Sequence, residues 1–430
     1  MAPAPGVPES EKRRTPRHAL FSWCLFDWAN SAFPTVITTF VFAAYFIESV
    51  AADPVSGTSQ WGYAMSVSAL AVAFMGPVLG ATADHAGPCK PWIMAFSAIC
   101  VAATAMLWFV RPDTSWVLWA LVFVGLANFA FEMGMVFYNA MLPELAERAW
   151  MGRISGWGWG LGYAGGLACL GLVLVGFVQP EVPWFGLDKA AAEHVRATAF
   201  LVAAWFAIFS VPLFLFTPET RARGLAPAEA VRRGLASLLA TLGHVRDYAD
   251  VARFLLARMI YTDGLNTLFA FGGIYAVGTF GFDFAELVVF GIALNATAGA
   301  GAALFAWVDD RIGPKRTVLI SIAALTVLGG GLLVVEGKGL FWALGLPLGI
   351  FVGPAQAASR SYMAHLAPAR LRTEMFGLYA LSGKATAFVG PAVLAWATAA
   401  AGSQRVGMAT VVAFFVVGMV LLLPVPDARR

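Results

Sequence analysis

Twelve apolar segments, each long enough to cross a bilayer, recur along this 430-residue chain. A spanning helix needs roughly 20 apolar residues. Charged residues make up 12% of the chain, against about a quarter in a soluble domain, and the mean hydropathy is +0.75. The segments predict an all-α integral membrane protein, and exclude a soluble enzyme, a disordered chain, a coiled coil and an outer-membrane barrel. The predicted spans are 20–47, 61–83, 91–110, 116–141, 156–178, 195–216, 254–279, 285–308, 316–336, 339–363, 375–400 and 406–425.

The distribution of Lys and Arg predicts the orientation, because cytoplasmic loops are enriched in these residues. With the N-terminus inside, 20 of the 28 fall in inside segments, five in outside loops and three within spans. Both termini are therefore expected in the cytoplasm, and an amphipathic surface helix is expected around Ala228–Tyr248. The predicted organisation is a cytoplasmic tail at 1–19, a six-helix bundle at 20–216, a cytoplasmic central loop at 217–253, a second six-helix bundle at 254–425 and a cytoplasmic C-terminus at 426–430.

The two predicted bundles repeat each other in sequence. The motif Asp-x-x-Asn-Ser/Thr-x-Phe begins at Asp27 in the first span and at Asp263 in the seventh, 236 residues later. The motif Asp-x-x-Gly-Pro-x-Lys/Arg begins at Asp84 after the second span and at Asp310 after the eighth, 226 residues later. Two matches in order, at equivalent points, predict two pseudo-symmetric six-helix bundles. Parallel repeats of this kind are a transporter architecture.

The loop from Gly80 to Lys90 resembles the cytoplasmic signature of the major facilitator superfamily between its second and third helices. It departs at Pro88 and Cys89, where members usually carry basic residues, and its second copy has Ala306 in place of a glycine. The resemblance implies that Asp84 and Asp310 act as conformational latches by pairing with nearby basic residues. The alternative is that they are simple charges at helix ends. The residues of this cytoplasmic gating motif are Gly80, Asp84, Gly87, Lys90, Asp310, Gly313 and Arg316.

A narrower resemblance begins at Phe26–Phe33, which is similar to the opening of the vacuole-effluxer branch. This branch comprises fungal vacuolar amino-acid effluxers linked to autophagy and their shorter bacterial relatives. Later segments fit the same branch, so the resemblance covers nearly the whole chain: Gly158–Gly166, Tyr261–Gly264, Gln356–Ser361 and Glu374–Tyr379. It implies a bacterial-type member in the plasma (inner) membrane, and the fungal relatives imply amino-acid efflux.

Charged residues lie well inside predicted spans at five positions: Asp27, Glu132, Asp263, Arg360 and Lys384. A charge there is costly and usually faces a cavity or a partner. In the superfamily fold that the chain resembles, the first, fourth, seventh and tenth helices line the central cavity, and each carries one of these charges. Polar neighbours at helical spacing extend the same faces. The predicted substrate or coupling cavity consists of Asp27, Asn30, Ser31, Asn128, Glu132, Asp263, Asn266, Thr267, Gln356, Ser359, Arg360 and Lys384.

These charges allow three roles, which the sequence leaves open: an inner gate, substrate contact or proton coupling. From the sequence, Glu132 is the preferred proton carrier, because burial favours a neutral carboxyl. Arg360 and Lys384 suit a substrate carboxylate, and Asp27 and Asp263 suit an amine. Direct ion pairing between the acidic and basic residues is equally compatible with the pattern.

The function predicted from these features is secondary active transport of a small polar solute, with an amino acid preferred and efflux favoured, by alternating access. Protons are a candidate coupling ion, and the protein is expected to act as a monomer in the lipid bilayer. The alternatives are transport of a lipid-like or amphipathic compound and a non-transporting scaffold or sensor. Walker, GxSxG and HExxH motifs are absent from the sequence, so we predict no enzyme activity, cofactor, metal or nucleic-acid partner.

Overall fold

The computed structural model describes residues 15–219, 225 and 227–427. Most of the predicted tail and several basic residues used to predict the topology lie outside the described residues; they are Lys12, Arg13, Arg14, Arg221, Arg223, Arg429 and Arg430. The described residues form helices joined by short turns.

Within the described ranges, twelve long helices cross the molecule in two pseudo-symmetric sets of six, as the sequence predicts. Eleven are long and apolar enough to span a membrane. The seventh reaches 32 residues but carries four charged residues. The spans are Arg17–Val50, Pro54–Ala86, Lys90–Phe109, Thr114–Leu145, Arg148–Val178, Glu193–Phe216, Ala249–Phe280, Phe284–Ile312, Pro314–Val334, Lys338–Leu366, Arg372–Ala401 and Gln404–Leu422. Odd spans begin and even spans end on the side that holds the described chain ends, which we name the termini side; the other is the far side.

Local sequence explains where several spans begin, bend or break. The second begins at Pro54, seven residues before the predicted 61, because the Asp53 side chain accepts hydrogen bonds from two backbone N–H groups and proline suits the first helical turn. The first span becomes π-helical over Phe33–Phe40, where Pro34 lacks an N–H. The eleventh breaks between Lys384 and Val389.

The halves meet where the second span packs on the eleventh and the fifth packs on the eighth. Small residues permit this close approach. A Cβ added to Gly76 would lie 3.4 Å from the Gly377 carbonyl oxygen. A Cβ added to Gly156 would lie 2.6 Å from the Ala306 Cβ. These contacts set the distance between the bundles and therefore the position of every side chain that faces the other half.

A separate helix, Pro227–Gly243, lies between the sixth and seventh spans and is named the loop helix. Gly234 rests on the second span, since a Cβ there would lie 2.7 Å from the Thr82 backbone nitrogen. The Ser237 hydroxyl donates to Glu374 Oε2 of the eleventh span at 3.0 Å. The loop helix therefore touches both halves on the termini side.

Candidate functional site

A buried ion pair joins the first span to the tenth, across the contact between the halves. Arg360 Nη1 lies 3.0 Å from Asp27 Oδ2, and the side chains are 2% and 7% exposed. Nε donates to the Ser155 hydroxyl at 2.9 Å and Nη2 to the Ser155 carbonyl at 2.7 Å. The guanidinium thus uses its fork on both a carboxylate and a helix backbone.

Aromatic rings and a glycine complete the surroundings of this pair. Arg360 lies over the ring of Trp23, with its guanidinium carbon 4.9 Å from the ring centroid. Trp23 in turn stacks on Tyr138 at 4.4 Å. A Cβ on Gly158 would lie 2.5 Å from Asp27 Oδ2 and 2.9 Å from Arg360 Nη2. The fifth span passes this close only because Gly158 has no side chain.

A second pair joins the fourth and eleventh spans. Lys384 Nζ lies 2.7 Å from Glu132 Oε1, with the side chains 30% and 21% exposed. Lys384 is the last helical residue before the break in the eleventh span. Four of the five intramembrane charges predicted from sequence are therefore paired across the two halves, the arrangement that the sequence left open as direct pairing.

Asp263, the fifth charge, has no such partner. It is 1% exposed, and neither carboxylate oxygen has a hydrogen-bond partner among the described residues. Thr267, one turn further along the seventh span, is fully buried, and its hydroxyl also lacks a partner there.

The remaining predicted cavity residues have individual surroundings. Asn30 Nδ2 contacts Met135 Sδ at 3.4 Å, and Asn128 Nδ2 donates to the Ser68 hydroxyl at 2.8 Å. The other three are placed as follows: Gln356 Nε2 lies 3.4 Å from the Tyr163 hydroxyl, the Ser359 hydroxyl lies 2.6 Å from that of Tyr261, and Asn266 is exposed.

A cavity of about 510 Å³ lies between the halves, on the far side of the ion pairs. Within the described residues, Ser31 is the one member of the predicted set that lines it. Its wall is largely aliphatic and aromatic; the polar-tipped lining residues are Ser31, Thr35, Thr39, Trp159, Tyr163, Tyr275 and Asn295. The Trp159 indole nitrogen is buried and has no hydrogen-bond partner among the described residues. No charged residue lines the cavity among those described, so its chemistry suits a largely apolar body with a few neutral polar contacts.

The gating motif residues lie on the termini side. Asp84 accepts hydrogen bonds from the backbone N–H groups of Thr373 at 3.0 Å and Glu374 at 2.8 Å. These groups open the eleventh span, where a carboxylate is favoured by the helix dipole. Gly80 faces the Thr373 carbonyl, against which no Cβ fits. In the described structure Asp84 caps a helix of the opposite half instead of pairing with a basic residue.

The second motif copy makes the equivalent contact on the fifth span. Asp310 accepts from the Arg153 backbone N–H at 3.0 Å and forms an ion pair with Arg153 Nε at 3.0 Å. Ala306 occupies the position equivalent to Gly80. The space that this methyl group needs is supplied from across the interface by Gly156.

The glycines and basic residues that end each motif serve the turns and helix ends. Gly87 and Gly313 adopt φ of 112° and 96°, which favour glycine. Lys90 Nζ donates to the Phe214 carbonyl at 3.1 Å and so caps the sixth span. In the second copy Lys315 caps the twelfth span at the Leu423 carbonyl, at 2.7 Å. The last motif residue, Arg316, instead lies 3.5 Å from Asp427.

Several residues at the site were not predicted. Ser155 and Trp159 lie in the glycine-rich fifth span, and the sequence offers no signal for them because the site was predicted from charged side chains and their polar neighbours. Tyr163 could have been found by its position one turn after Trp159. Thr386 lies two residues after Lys384 in the broken helix, and the sequence signal for that break is Pro391, which supplies no N–H to the carbonyl of residue 387. No group of three His, Cys, Asp or Glu residues forms a metal site within the described ranges.

The fold matches solved transporters of the major facilitator superfamily. One is FucP in its outward conformation, with a TM-score of 0.74 at 13% identity, covering 95% of this chain and 98% of that one. Another is the human organic anion transporter MFSD10, with a TM-score of 0.72 at 16% identity, covering 94% and 99%. At these identities the likeness shows the fold alone. The architecture is that of a major facilitator transporter, which is not an enzyme.

The sequence places it in a family within that class. The family model for "Vacuole effluxer Atg22 like" matches residues 49–152 and 149–430, so the chain belongs to this family. An uncharacterized MFS-type transporter of Bacillus subtilis, YxiO, is 29% identical over 409 residues, covering 94% of each chain. Autophagy-related protein 22 of Coccidioides immitis is 22% identical over 440 residues, covering 84% of this chain and 70% of its own length. The predicted family is thereby confirmed.

Proposed function

We propose that this transporter exports an amino acid with an apolar side chain, in exchange for protons, across a bacterial plasma membrane. The observation that carries this proposal is the cavity of about 510 Å³. Its aliphatic and aromatic wall suits a hydrocarbon or aromatic side chain. Trp159 and Tyr163 are among the lining residues, and their indole N–H and hydroxyl are our candidates for contacts with the polar end of such a substrate.

Alternating access follows from where the halves are joined. Four ion pairs across the halves lie on the termini side in the described structure: Asp27–Arg360, Glu132–Lys384, Glu144–Arg372 and Arg153–Asp310. The cavity lies beyond them, towards the far side. If the termini are cytoplasmic, as the Lys and Arg bias predicts, these pairs close the cytoplasmic entrance. Breaking them would open the cavity to the cytoplasm and admit a substrate for export.

The same geometry supports action as a monomer with two bundles as moving parts. Spans of both halves supply the cavity wall within one chain, including Ser31 from the first half and Asn295 from the second. We accordingly propose that residues 20–216 and 254–425 are the two moving bundles, joined by the cytoplasmic loop at 217–253. The predicted cavity residues that form ion pairs then serve as a gate between substrate and cytoplasm.

A second candidate substrate is a neutral amphipathic compound. The specific observation in its favour is that no charged residue lines the cavity within the described ranges. A zwitterion would bring two charges to a wall that offers only neutral polar groups. An amphipathic molecule would meet those groups with a single polar end.

Transport by the purified protein in proteoliposomes separates these candidates. We expect labelled leucine and phenylalanine to cross under an imposed pH gradient, and lysine and glutamate not to cross, because the apolar wall cannot replace the hydration of a charged side chain. A panel of neutral amphipathic compounds is measured by thermal stabilisation, which reaches about 2.7 kcal/mol when a ligand is present at 100 times its Kd. Stabilisation by those compounds without amino-acid flux would replace the first candidate by the second.

A conservative substitution tests whether the cavity binds the substrate. Trp159→Phe keeps an aromatic wall but removes the unpartnered indole N–H, so leucine transport should fall. The matched control is Trp396→Phe, since Trp396 is 72% exposed on the outer surface of the eleventh span. Equal transport by both variants would remove Trp159 from the proposed site.

A further inference from the structure

Asp263 is a buried carboxylate whose repeat counterpart has a cation and which itself has none. Asp27, at the equivalent position of the first span, is paired with Arg360 at 3.0 Å. Asp263 is equally buried, at 1% exposure, yet neither of its oxygens has a hydrogen-bond partner in the described structure. The repeat therefore supplies two aspartates but only one arginine.

The groups around Asp263 offer hydroxyls and no positive charge. The Thr386 hydroxyl lies beside the carboxylate, and it too is without a hydrogen-bond partner in normal geometry within the described chain. Gly390, in the second part of the broken eleventh span, packs directly on the Thr267 hydroxyl. Thr386 thus lies beside Asp263 at the break in the eleventh span, and Thr267 lies one turn further along the seventh span, against Gly390.

Charged and titratable groups on the seventh span and on the elements packed against it have other partners. Arg258 Nη1 donates to the Tyr379 carbonyl at 2.8 Å and to the Ser382 hydroxyl at 2.7 Å. The other contacts in this region are Lys384 with Glu132, Arg360 with Asp27, Arg405 with the carbonyls of Leu333 and Val335, Arg253 with Asp250, Glu286 with Lys338, Arg372 with Glu144, Tyr261 with Ser359, Tyr362 with the Pro426 carbonyl, Tyr275 with the Leu332 carbonyl and Glu374 with Ser237.

An ionised carboxylate in this position would be expensive. A charge within a membrane span is tolerated when it faces a partner or water, and burial of an unpaired charge disfavours the ionised form. Asp263 has neither compensation among the described residues. Its charge must therefore be cancelled by something that the described residues do not supply.

We propose that Asp263 is the proton carrier of this transporter, with the Thr386 hydroxyl beside its carboxylate and Thr267 one helical turn away. This inference rests on the proposed function, since it assumes that the protein transports a substrate. Asp263 replaces Glu132 as the preferred carrier, because Glu132 is engaged with Lys384. A proton from the far-side solution binds one carboxylate oxygen to give the neutral acid. Its release to the cytoplasm restores the carboxylate, so charge and atoms balance over one cycle.

The position of Asp263 connects the cavity to the gate. Leu268 and Phe269 of the same helix line the cavity. Phe415, which also lines it, packs against Gly264, where an added Cβ would lie 2.9 Å from the ring. On the other side, Thr386 lies two residues from Lys384, which holds the Glu132 ion pair. Protonation at Asp263 therefore acts on the helix break that positions a gate residue.

A proton fits this site better than a metal ion does. Hard cations need a shell of several oxygen ligands, whereas the described surroundings place the single hydroxyl of Thr386 beside the carboxylate. A proton needs a single acceptor and a dry site. Na⁺ binding is therefore the outcome that the experiment must distinguish.

Infrared difference spectroscopy of the protein in lipid tests the proposal without any substrate. We expect the C=O stretch of a protonated carboxylic acid to disappear as pH rises in the wild type and in Glu132→Gln. The band should be missing from Asp263→Asn and restored, shifted in frequency, in Asp263→Glu. A band that persists in Asp263→Asn, or a wild type that shows no such band at any pH, overturns the proposal. Loss of the band on adding NaCl at constant pH overturns it in favour of a sodium site.

Transport assays provide the functional half of the test. With leucine as the probe, Asp263→Asn should lose accumulation driven by a pH gradient and keep leucine counterflow, since exchange needs no net proton movement. Retained counterflow also shows that the variant is folded. Gradient-driven accumulation by Asp263→Asn equal to that of the wild type overturns the proposal. Absence of leucine counterflow in the wild type would rule out the proposed substrate. The infrared result would still decide the role of Asp263.

Discussion

Arg360 is held by more groups than one ion pair requires. Asp27, Ser155 and Asn139 all accept hydrogen bonds from its guanidinium, and the ring of Trp23 covers one face. A buried charge that keeps its partners is tolerated, whereas one that loses them is strongly destabilising. This side chain therefore behaves as a fixed point between the halves when the termini side is closed.

Gly158→Ala tests how tightly that fixed point is packed. The added Cβ would lie 2.5 Å from Asp27 Oδ2 and 2.9 Å from Arg360 Nη2, so we expect a loss of about 1–3 kcal/mol, typical of overpacking. Thermal unfolding in detergent, followed by tryptophan fluorescence, measures it. Gly171→Ala in the same span is the control, because nothing lies within 4 Å of its added Cβ. Equal melting temperatures for the two variants would contradict the described packing.

The sequence could identify the charges of the site but not their partners. Their cost in a membrane made Asp27 and Arg360 stand out among apolar neighbours. Their pairing joins residues 333 positions apart and depends on how two bundles dock, which no local pattern encodes. The residues of the cavity wall could not be predicted for a related reason. An apolar residue such as Leu268 or Phe290 has the same sequence signature whether it faces a cavity or lipid.

At the scale of elements, the twelve spans were predictable from hydropathy and their irregularities were not. Hydropathy locates a span because apolar length is its physical requirement. The early start at Pro54 has a local signal, an aspartate cap before a proline, that hydropathy ignores. The break between Lys384 and Val389, which places Thr386 beside Asp263, has a signal of the same kind in Pro391, which supplies no N–H to the carbonyl of residue 387.

Cys89 is a natural reporter of the contact between these elements. Its sulfur lies 3.9 Å from the Thr373 hydroxyl of the opposite half, and burial raises the pKa of the thiol to about 12. Glu132→Gln removes one ion pair across the halves, so we expect a water-soluble maleimide to modify Cys89 faster than in the wild type. The other three cysteines are buried. Mass spectrometry of the labelled peptide gives the rate.

A far-side variant provides the comparison for the Cys89 experiment. Lys338 pairs with Glu286 within the second half, with a side-chain exposure of 42% for the lysine. Lys338→Gln should leave the Cys89 rate unchanged, because that pair does not join the halves. Equal acceleration by both variants would mean that the rate reports general loosening and not opening of the termini side.

The loop helix gives a second prediction at this scale. Gly234→Ala places a methyl group 2.7 Å from the Thr82 backbone nitrogen, so the loop helix should dock less firmly on the second span. Trypsin should then cleave faster after Arg232 or Arg233. Gly243→Ala, in the same helix, has open space around the added Cβ and should be cleaved at the wild-type rate. Unchanged cleavage of Gly234→Ala would show that this contact does not hold the helix.

The whole molecule is built so that each half caps a helix of the other. Asp84 of the first half caps the eleventh span, and Asp310 of the second half caps the fifth. If the halves move as rigid bodies, loss of either cap should weaken the entire closed side and not only its own contact.

Neutralising each cap separately tests rigid-body motion. Asp84→Asn and Asp310→Asn should both speed maleimide modification of Cys89, although Cys89 contacts only the surroundings of the first cap. Melting temperatures serve as the control for general destabilisation. Acceleration by Asp84→Asn alone would instead indicate local fraying of the eleventh span, and the two bundles could not then be treated as single moving bodies.

The contact between Gly156 and Ala306 has a consequence for how the family varies. The repeat shows a glycine missing from the second motif copy, yet the interface keeps its close spacing because the small residue stands on the facing helix. A Cβ added at position 156 would also lie 2.6 Å from the Ala302 carbonyl oxygen, which no change at position 306 removes. Homologues with glycine at position 306 should therefore still carry glycine at position 156. A motif defined on one helix alone therefore records a divergence at position 306, although the glycine on the facing helix still lets the two helices pack closely.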